Sequence, residues 1–240
     1  MTEALPEETL RRIQEIVAAE TGATFAPEAA ARLYAALATA FGKAAPALLE
    51  TDRTCEVTVL LADLRGFTWI SEAFPVGTVL ELLNRYLARM CEIAVRNGGT
   101  IDKFMGDSIM LLFGSPQGGP DDARRAVVCA AQMQIAMHDV NREHAARKLP
   151  ELFMGIGINT GRVMAGRLGS ELHSEYTVIG DEVNLASRLE ALNKDYGTRI
   201  IVSASTRRAA GPERFAFEAI GEVQVRGRTA PTPVYTLRVR

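Results

Sequence analysis

The chain has 240 residues, 48% of them hydrophobic, enough for one large domain with an appendage or two small ones, which excludes disorder throughout. A formal net charge of -2 excludes a bulk attraction to nucleic acid or anionic lipid, so an anionic ligand has to be held by a local cluster. Cys55, Cys91 and Cys129 are odd in number, far apart and set among apolar residues; they read as buried thiols in a reducing compartment, with no disulfide framework or zinc site.

Met1-Thr2-Glu3 opens the chain without a basic leader, and Leu33 to Phe41, one of the longest uncharged stretches, is far too short for a bilayer. The expectation is a cytoplasmic protein with no membrane insertion. Residues 1–50 are rich in Ala and Glu, with apolar positions at Leu10, Ile13 and Val17 and again at Leu33, Leu37 and Phe41. Pro6 and Pro27 near the starts and Gly22 and Gly42 near the ends frame two helices. Such a helical hairpin suits packing on a neighbour, on another copy of the chain or on an unidentified regulatory partner. A DNA-reading helix pair would have only Arg11, Arg12 and Arg32 to supply charge.

From Glu56 the pattern changes. Val57-Thr58-Val59-Leu60-Leu61 suits a buried strand. Thr78-Val79-Leu80-Glu81 reads as a capping box, followed by an apolar helix face of Val79, Leu82, Leu83, Tyr86, Met90 and Ile93 that Asn97-Gly98-Gly99 closes. Thr100 to Phe104 and Ile109 to Phe113 make two strands around Met105-Gly106-Asp107. A second long helix begins near Asp121, with Val127, Ala130, Met133, Met137 and Val140 on its core side. Phe153 to Asn159 is the next strand. Strand, helix, strand hairpin, helix, strand is the ferredoxin-like βαββαβ order of an α+β fold. Beyond it the pattern adds strands near Val163, Thr177 and Ile200, a helix from Asp181 to Asn193, and a hairpin from Glu222 to Leu237.

Two aspartates stand where chemistry could be done. Asp63 ends the first strand beside Arg65-Gly66-Phe67-Thr68, a turn whose N–H groups suit an anion, and Asp107 sits in the turn after the second strand. Each has an ordinary explanation, as a helix cap and a turn residue. In a ferredoxin-like sheet, however, both positions lie at one end of adjacent central strands, so the two carboxylates can reach one point and hold divalent metal. Further along, Asn184 and Arg188 are four apart on a predicted helix and share a face, where an amide suits a hydroxyl and a guanidinium suits a phosphate. Spacing alone favours an exposed polar stripe opposite Val183 and Leu189.

Asp63-Leu64-Arg65-Gly66-Phe67-Thr68, Asp102-Lys103-Phe104-Met105-Gly106-Asp107, Gly155-Ile156-Gly157-Ile158-Asn159-Thr160-Gly161, Tyr176-Thr177-Val178-Ile179-Gly180-Asp181 and Val183-Asn184-Leu185-Ala186-Ser187-Arg188-Leu189 together resemble the class III adenylate and guanylate cyclase catalytic domain. The motifs follow in family order over about residues 55–240, which divides the chain into a helical region, 1–50, and a catalytic domain, 51–240.

The resemblance implies an adenylate cyclase that converts ATP to 3′,5′-cyclic AMP and pyrophosphate. It implies two Mg²⁺ or Mn²⁺ ions on Asp63, Asp107 and the Leu64 backbone, and a triphosphate held at Gly66, Phe67 and Thr68. Asn184 would hold the ribose and Arg188 the α-phosphate, in an antiparallel homodimer whose two chains share each site. Lys103 and Thr177 would read the base. An ammonium donates to N1 of adenine and conflicts with N1–H of guanine, and guanylate cyclases carry Glu at that position. Arg226 stands where the family usually has Lys against the triphosphate; it keeps the charge and changes its reach. Arg167 replaces a usual Asn, and His173 a usual Arg. GTP or a pyrimidine triphosphate stays open as substrate. A nucleotide-binding pseudocyclase without turnover is the rival, although such a chain typically lacks one of the residues present here. Aromatic strand faces with a basic surround, as in a nucleic-acid-binding ferredoxin-like domain, are not evident.

Overall fold

The computed structural model describes residues 52–170, 174–224 and 231–238, together with Arg11, Gln14, Glu15 and Ala18. Apart from those four positions, the helical hairpin predicted over 1–50 lies outside the described residues, as do His173 and Arg226. The chain divides into two units, residues 1–52 with 166–176, and residues 53–165 with 177–240. In the first, Arg11 pairs with Glu15 one helical turn on, at 3.7 Å, and Asp52 Oδ1 accepts the backbone N–H of Arg167 at 3.2 Å.

The elements in order are β1 (Arg53–Arg65), α1 (Phe67–Ala73), α2 (Val76–Arg96), β2 (Thr100–Met105), β3 (Ser108–Phe113), α3 (Asp122–Ala146), β4 (Phe153–Gly169), β5 (Ser174–Ile179), α4 (Asp181–Tyr196), β6 (Ile200–Ser203), α5 (Ala204–Ala210), β7 (Phe217–Val223) and β8 (Thr232–Leu237). The strands form one eight-stranded sheet in the order β2-β3-β1-β4-β6-β8-β7, with β5 paired to β4 off this path. Its first four strands are antiparallel neighbours in the predicted ferredoxin-like arrangement.

Central position explains the β-branched and aliphatic run of β1: Val57 through Ala62 are all buried, because both faces of the strand are covered. On one face, Leu60, Ala62 and Leu64 join Ile109, Leu111 and Phe113 of β3 in the main core. The predicted helix stripes close over it, with Leu82, Tyr86, Met90 and Ile93 from α2 and Val127, Ala130, Met133, Met137 and Val140 from α3. A fully buried side chain of this size contributes about 1.5–3 kcal/mol, so this face carries most of the domain's stability.

The opposite face holds α4, and the glycines of β4 explain how. Residues 155, 157, 159 and 161 alternate onto the α4 side as Gly, Gly, Asn and Gly. A methyl at Gly157 would overlap the Ala186 carbonyl oxygen and the Glu190 amide nitrogen, so the helix backbone lies directly on the strand there. Gly155 leaves room for the Glu190 carboxyl and Gly161 for the Glu182 side chain. Helical backbone cannot yield as a side-chain tip can, so Gly157→Ala is expected to cost about 3 kcal/mol and lower Tm by roughly 6–12 °C. A thermal melt shifted by less than a degree would refute that close approach.

Several local expectations change. The strand predicted near Val163 is the continuation of β4, which runs seventeen residues without a break. The capping box does not form: α2 starts at Val76 behind Pro75, has no side-chain cap, and places Thr78 inside its first turn, where the Thr78 and Val79 N–H groups donate to the Pro75 carbonyl. The closing hairpin begins earlier, at Phe217. Of the three thiols only Cys129 is fully buried, and burial pushes it up to about 12; Cys55 and Cys91 are half-buried. No described helix is long and apolar enough to cross a membrane.

Candidate active site

The β1–β3 register ends at Ala62 opposite Ile109, which brings Asp63 level with the start of β3 and the two-residue turn Gly106-Asp107. Asp63 Oδ1 accepts a hydrogen bond from Ser108 Oγ. The Asp107 carboxyl lies against Asp63, and the nearby backbone N–H groups of Leu64 and of Asp107 itself favour its charged form. Burial, and then the charge of Asp63, raise Asp107 above the usual carboxylate range. The two aspartates that the sequence places on neighbouring strands are therefore one electrostatic unit. Two hard oxygen donors of like charge at close quarters fit a divalent cation of the Mg²⁺ or Mn²⁺ class, which removes their repulsion.

Asp63 does not cap a helix. The N-cap of α1 is Gly66, in the left-handed region at φ 71° and ψ 17°, with no side-chain cap. That conformation strains any residue with a Cβ and turns the chain sharply behind Leu64. Phe67 and Thr68 then open α1 with backbone N–H groups that no capping side chain takes up.

A third carboxyl, to which the sequence reading gave no role, stands beside the pair. Asp63 pairs across the ladder with Gly155, and residues opposite each other share a face. The Glu190 carboxyl occupies the space above Gly155 and so lies next to Asp63. Burial first, then Asp63 and Asp107, push Glu190 up to about 7, against the opposing charge of Arg65. Among the described residues no three His, Cys, Asp or Glu side chains are grouped to hold a metal ion, so Glu190 stands behind the pair without completing a three-carboxylate cage. The alternation of Gly155 and Gly157 on β4 was the available signal that something on α4 comes this close.

Lys103 and Thr177 meet at a shared partner. Thr177 Oγ1 donates to Asp102 Oδ2 at 2.9 Å, and Lys103 Nζ lies 3.4 Å from the same oxygen. The Asp102 side chain is 1% exposed and that of Lys103 29%, so Lys103 is the more exposed of the pair. A carboxylate only accepts, so the Thr177 hydroxyl proton is directed to Asp102 and its oxygen keeps an acceptor lone pair. Asn184 and Arg188 are both exposed on α4, while Leu185, Ala186 and Leu189 are buried beneath them. The polar stripe thus exists, directed outward, on a helix whose inner side abuts Asp63 through Glu190.

Residues 49–238 match the family model described as the adenylate and guanylate cyclase catalytic domain. An adenylate cyclase of Anabaena cylindrica is 38% identical over 191 residues, 77% of this chain and 37% of that protein. Among solved structures, the guanylyl cyclase Cya2 is 40% identical with a TM-score of 0.73, covering 78% of this chain and 94% of that one. The adenylyl cyclase CyaB of P. aeruginosa is 34% identical with a TM-score of 0.73, covering 79% and 96%. The chain spans little more than a third of the Anabaena protein's length and 27% of adenylate cyclase 1 of Rhizobium meliloti, so the likeness is to one domain of those proteins. With four-fifths of its length matched, the chain belongs to the adenylate and guanylate cyclase catalytic domain family.

Proposed function

We propose that the chain is an adenylate cyclase that forms 3′,5′-cyclic AMP and pyrophosphate from ATP at sites shared between two antiparallel copies, with residues 51–240 as the catalytic domain and 1–50 as a regulatory or dimer-supporting region. The observation that carries the reading is the Asp63–Asp107 unit beside the Leu64–Thr68 turn in a chain of this family. Two Mg²⁺ or Mn²⁺ ions held by Asp63, Asp107 and the Leu64 carbonyl would supply the charge that acidifies the ribose 3′-hydroxyl and neutralises the departing phosphates. The N–H groups at Gly66, Phe67 and Thr68 hold the triphosphate, and Arg226 adds a cation to it. From the partner copy, Asn184 fixes the ribose and Arg188 stabilises charge developing on the α-phosphate. Its outward position on α4 supports that division of labour, because a guanidinium directed away from its own sheet serves a neighbour.

Base choice follows from hydrogen-bond direction. Lys103 donates to adenine N1, and Thr177, its proton committed to Asp102, accepts from the 6-amino group. Guanine presents N1–H and O6 at those points, a mismatch at both. GTP is the second reading, favoured by the 40% identity to a solved guanylyl cyclase. The purified protein with Mg²⁺ or Mn²⁺ is expected to cyclise ATP at least about tenfold faster than GTP, as one mismatched contact of about 1.4 kcal/mol requires. Lys103→Glu should lower that preference. Equal or reversed rates in the unaltered protein would favour GTP, and absence of turnover with every triphosphate a binding role.

A further inference from the structure

Asn159 lies in the middle of β4 with no exposed surface, and its amide is fully engaged. Nδ2 donates to the Glu182 carbonyl oxygen at 2.9 Å and to Glu182 Oε2 at 2.7 Å, while Oδ1 accepts from Ser205 Oγ at 3.2 Å. The orientation is forced, since two acceptors on one side demand the NH₂ and a hydroxyl on the other finds the oxygen. Behind Ser205 runs a chain of hydroxyls, Ser203 at 2.9 Å, then Thr206, Thr160 and Thr58 at 3.1, 3.0 and 2.8 Å, which ties the amide to α5, β4 and β1.

Glu182 is the second residue of α4, a helix whose N-cap, Gly180, offers no side-chain cap. Gly161 lets the Glu182 side chain lie flat against β4, where Asn159 grips both its carbonyl and its carboxylate. At the other end of the contact the helix backbone rests on Gly157, and Asn193 Nδ2 donates to the Ile156 carbonyl oxygen at 2.9 Å, which hold the later turns of α4 to the strand and leave the placement of its first turn to be set elsewhere. The grip of Asn159 on Glu182 sets it. Asn184 and Arg188 follow Glu182 by two and six residues on the same rigid helix.

We propose that Asn159 is a positioning residue: by holding Glu182 it completes the seating of α4 at its first turn, and so sets the aim of Asn184 and Arg188 at the ribose and α-phosphate. The inference rests on the roles proposed above for those two residues. An isosteric Asn159→Asp exchange puts acceptor against acceptor and releases the first turn of α4. Because the grip acts through groups that work in the transition state, kcat is expected to fall about tenfold or more with the KM for ATP changed less than threefold.

The decisive measurement is a double-mutant cycle with Arg188→Ala. If Asn159 acts through Arg188, Asn159→Asp lowers the kcat of the Arg188→Ala protein by less than about threefold; a full tenfold further loss overturns the proposal. In mixed dimers, an Asn159→Asp chain should regain activity beside an Asp107→Ala chain and fail to do so beside an Arg188→Ala chain, a pattern that general destabilisation does not produce. Where Asp107→Ala and Arg188→Ala chains complement each other, recovery of the Asn159→Asp chain in both mixtures or in neither, with mixed dimers formed, also overturns it. Should Asp107→Ala and Arg188→Ala chains fail to complement each other, the shared-site reading falls by itself, and the cycle within one chain still decides for or against Asn159. If Asn159→Asp does not fold, Glu182→Ala removes the carboxylate half of the grip from a half-buried position and is held to the same cycle.

Discussion

Asp107→Ala is expected to lower cyclase turnover by at least about a thousandfold, equivalent to about 4 kcal/mol of transition-state stabilisation. The size follows from the carboxylate pair. Among the described residues, the partners of Asp63 and Asp107 are a hydroxyl, nearby backbone N–H groups and each other, with no cationic side chain hydrogen-bonded to either. Removing either leaves a single carboxylate to hold doubly charged cations against a triphosphate. The same pair predicts how folding responds. Asp107 is held above its usual range by burial and by its neighbour's charge, so the pair is a strained feature of the metal-free protein. Asp107→Asn, which removes the repulsion and retains the shape, is therefore expected to leave Tm in chelator unchanged or higher while turnover collapses. Loss of activity together with a lowered Tm in chelator would mean that Asp107 is a structural turn residue, and substantial residual activity would remove it from the metal site.

Arg188→Ala is expected to cost on the order of 3 kcal/mol in the transition state, somewhat more than a hundredfold in kcat, with little effect on Tm because the side chain is exposed. What makes it informative is its pairing with Asp107→Ala. If each site takes its aspartates from one copy and its arginine from the other, equal mixing of the two inactive chains makes half the dimers heterodimers. Each heterodimer has one doubly damaged site and one intact site, so about a quarter of wild-type activity returns. If each chain carries its own complete site, no mixture recovers anything. Recovery near a quarter at equal mixing, falling as either chain is put in excess, is the signature to measure; its absence despite proven subunit exchange would refute the shared site.

Much of this was legible from residue pattern because the informative signals are local. The apolar stripes of α2 and α3 repeat every three or four residues, and the hydrophobic run of β1 announces a strand covered on both faces. The joint meaning of Asp63 and Asp107 needed only the strand order, which the alternation of strands and helices supplied. What escaped depends on contacts far apart in the chain or on elements too short to have a period. The seven-residue helices α1 and α5 show barely two turns each. Thr78 and Glu81 have the spacing of a capping box, yet the helix starts three residues earlier, behind Pro75, and leaves Thr78 inside the first turn. Glu190 reads as one more charge on a helix until Gly155, thirty-five positions earlier, is seen to leave it a place beside Asp63. Asp102 likewise gains its meaning only when β5 delivers Thr177 to it.

The mounting of α4 has a consequence for control. A side chain on a loose support can search for its target, whereas Arg188 rides a helix pressed backbone to backbone onto Gly157 and gripped at its start by Asn159. Such a support has no slack with which to correct a badly seated neighbour. Under the shared-site reading, the throttle on turnover then lies in how two copies are clamped together, and a signal arriving through residues 1–50 need only tilt one copy against the other, leaving the interior of each untouched.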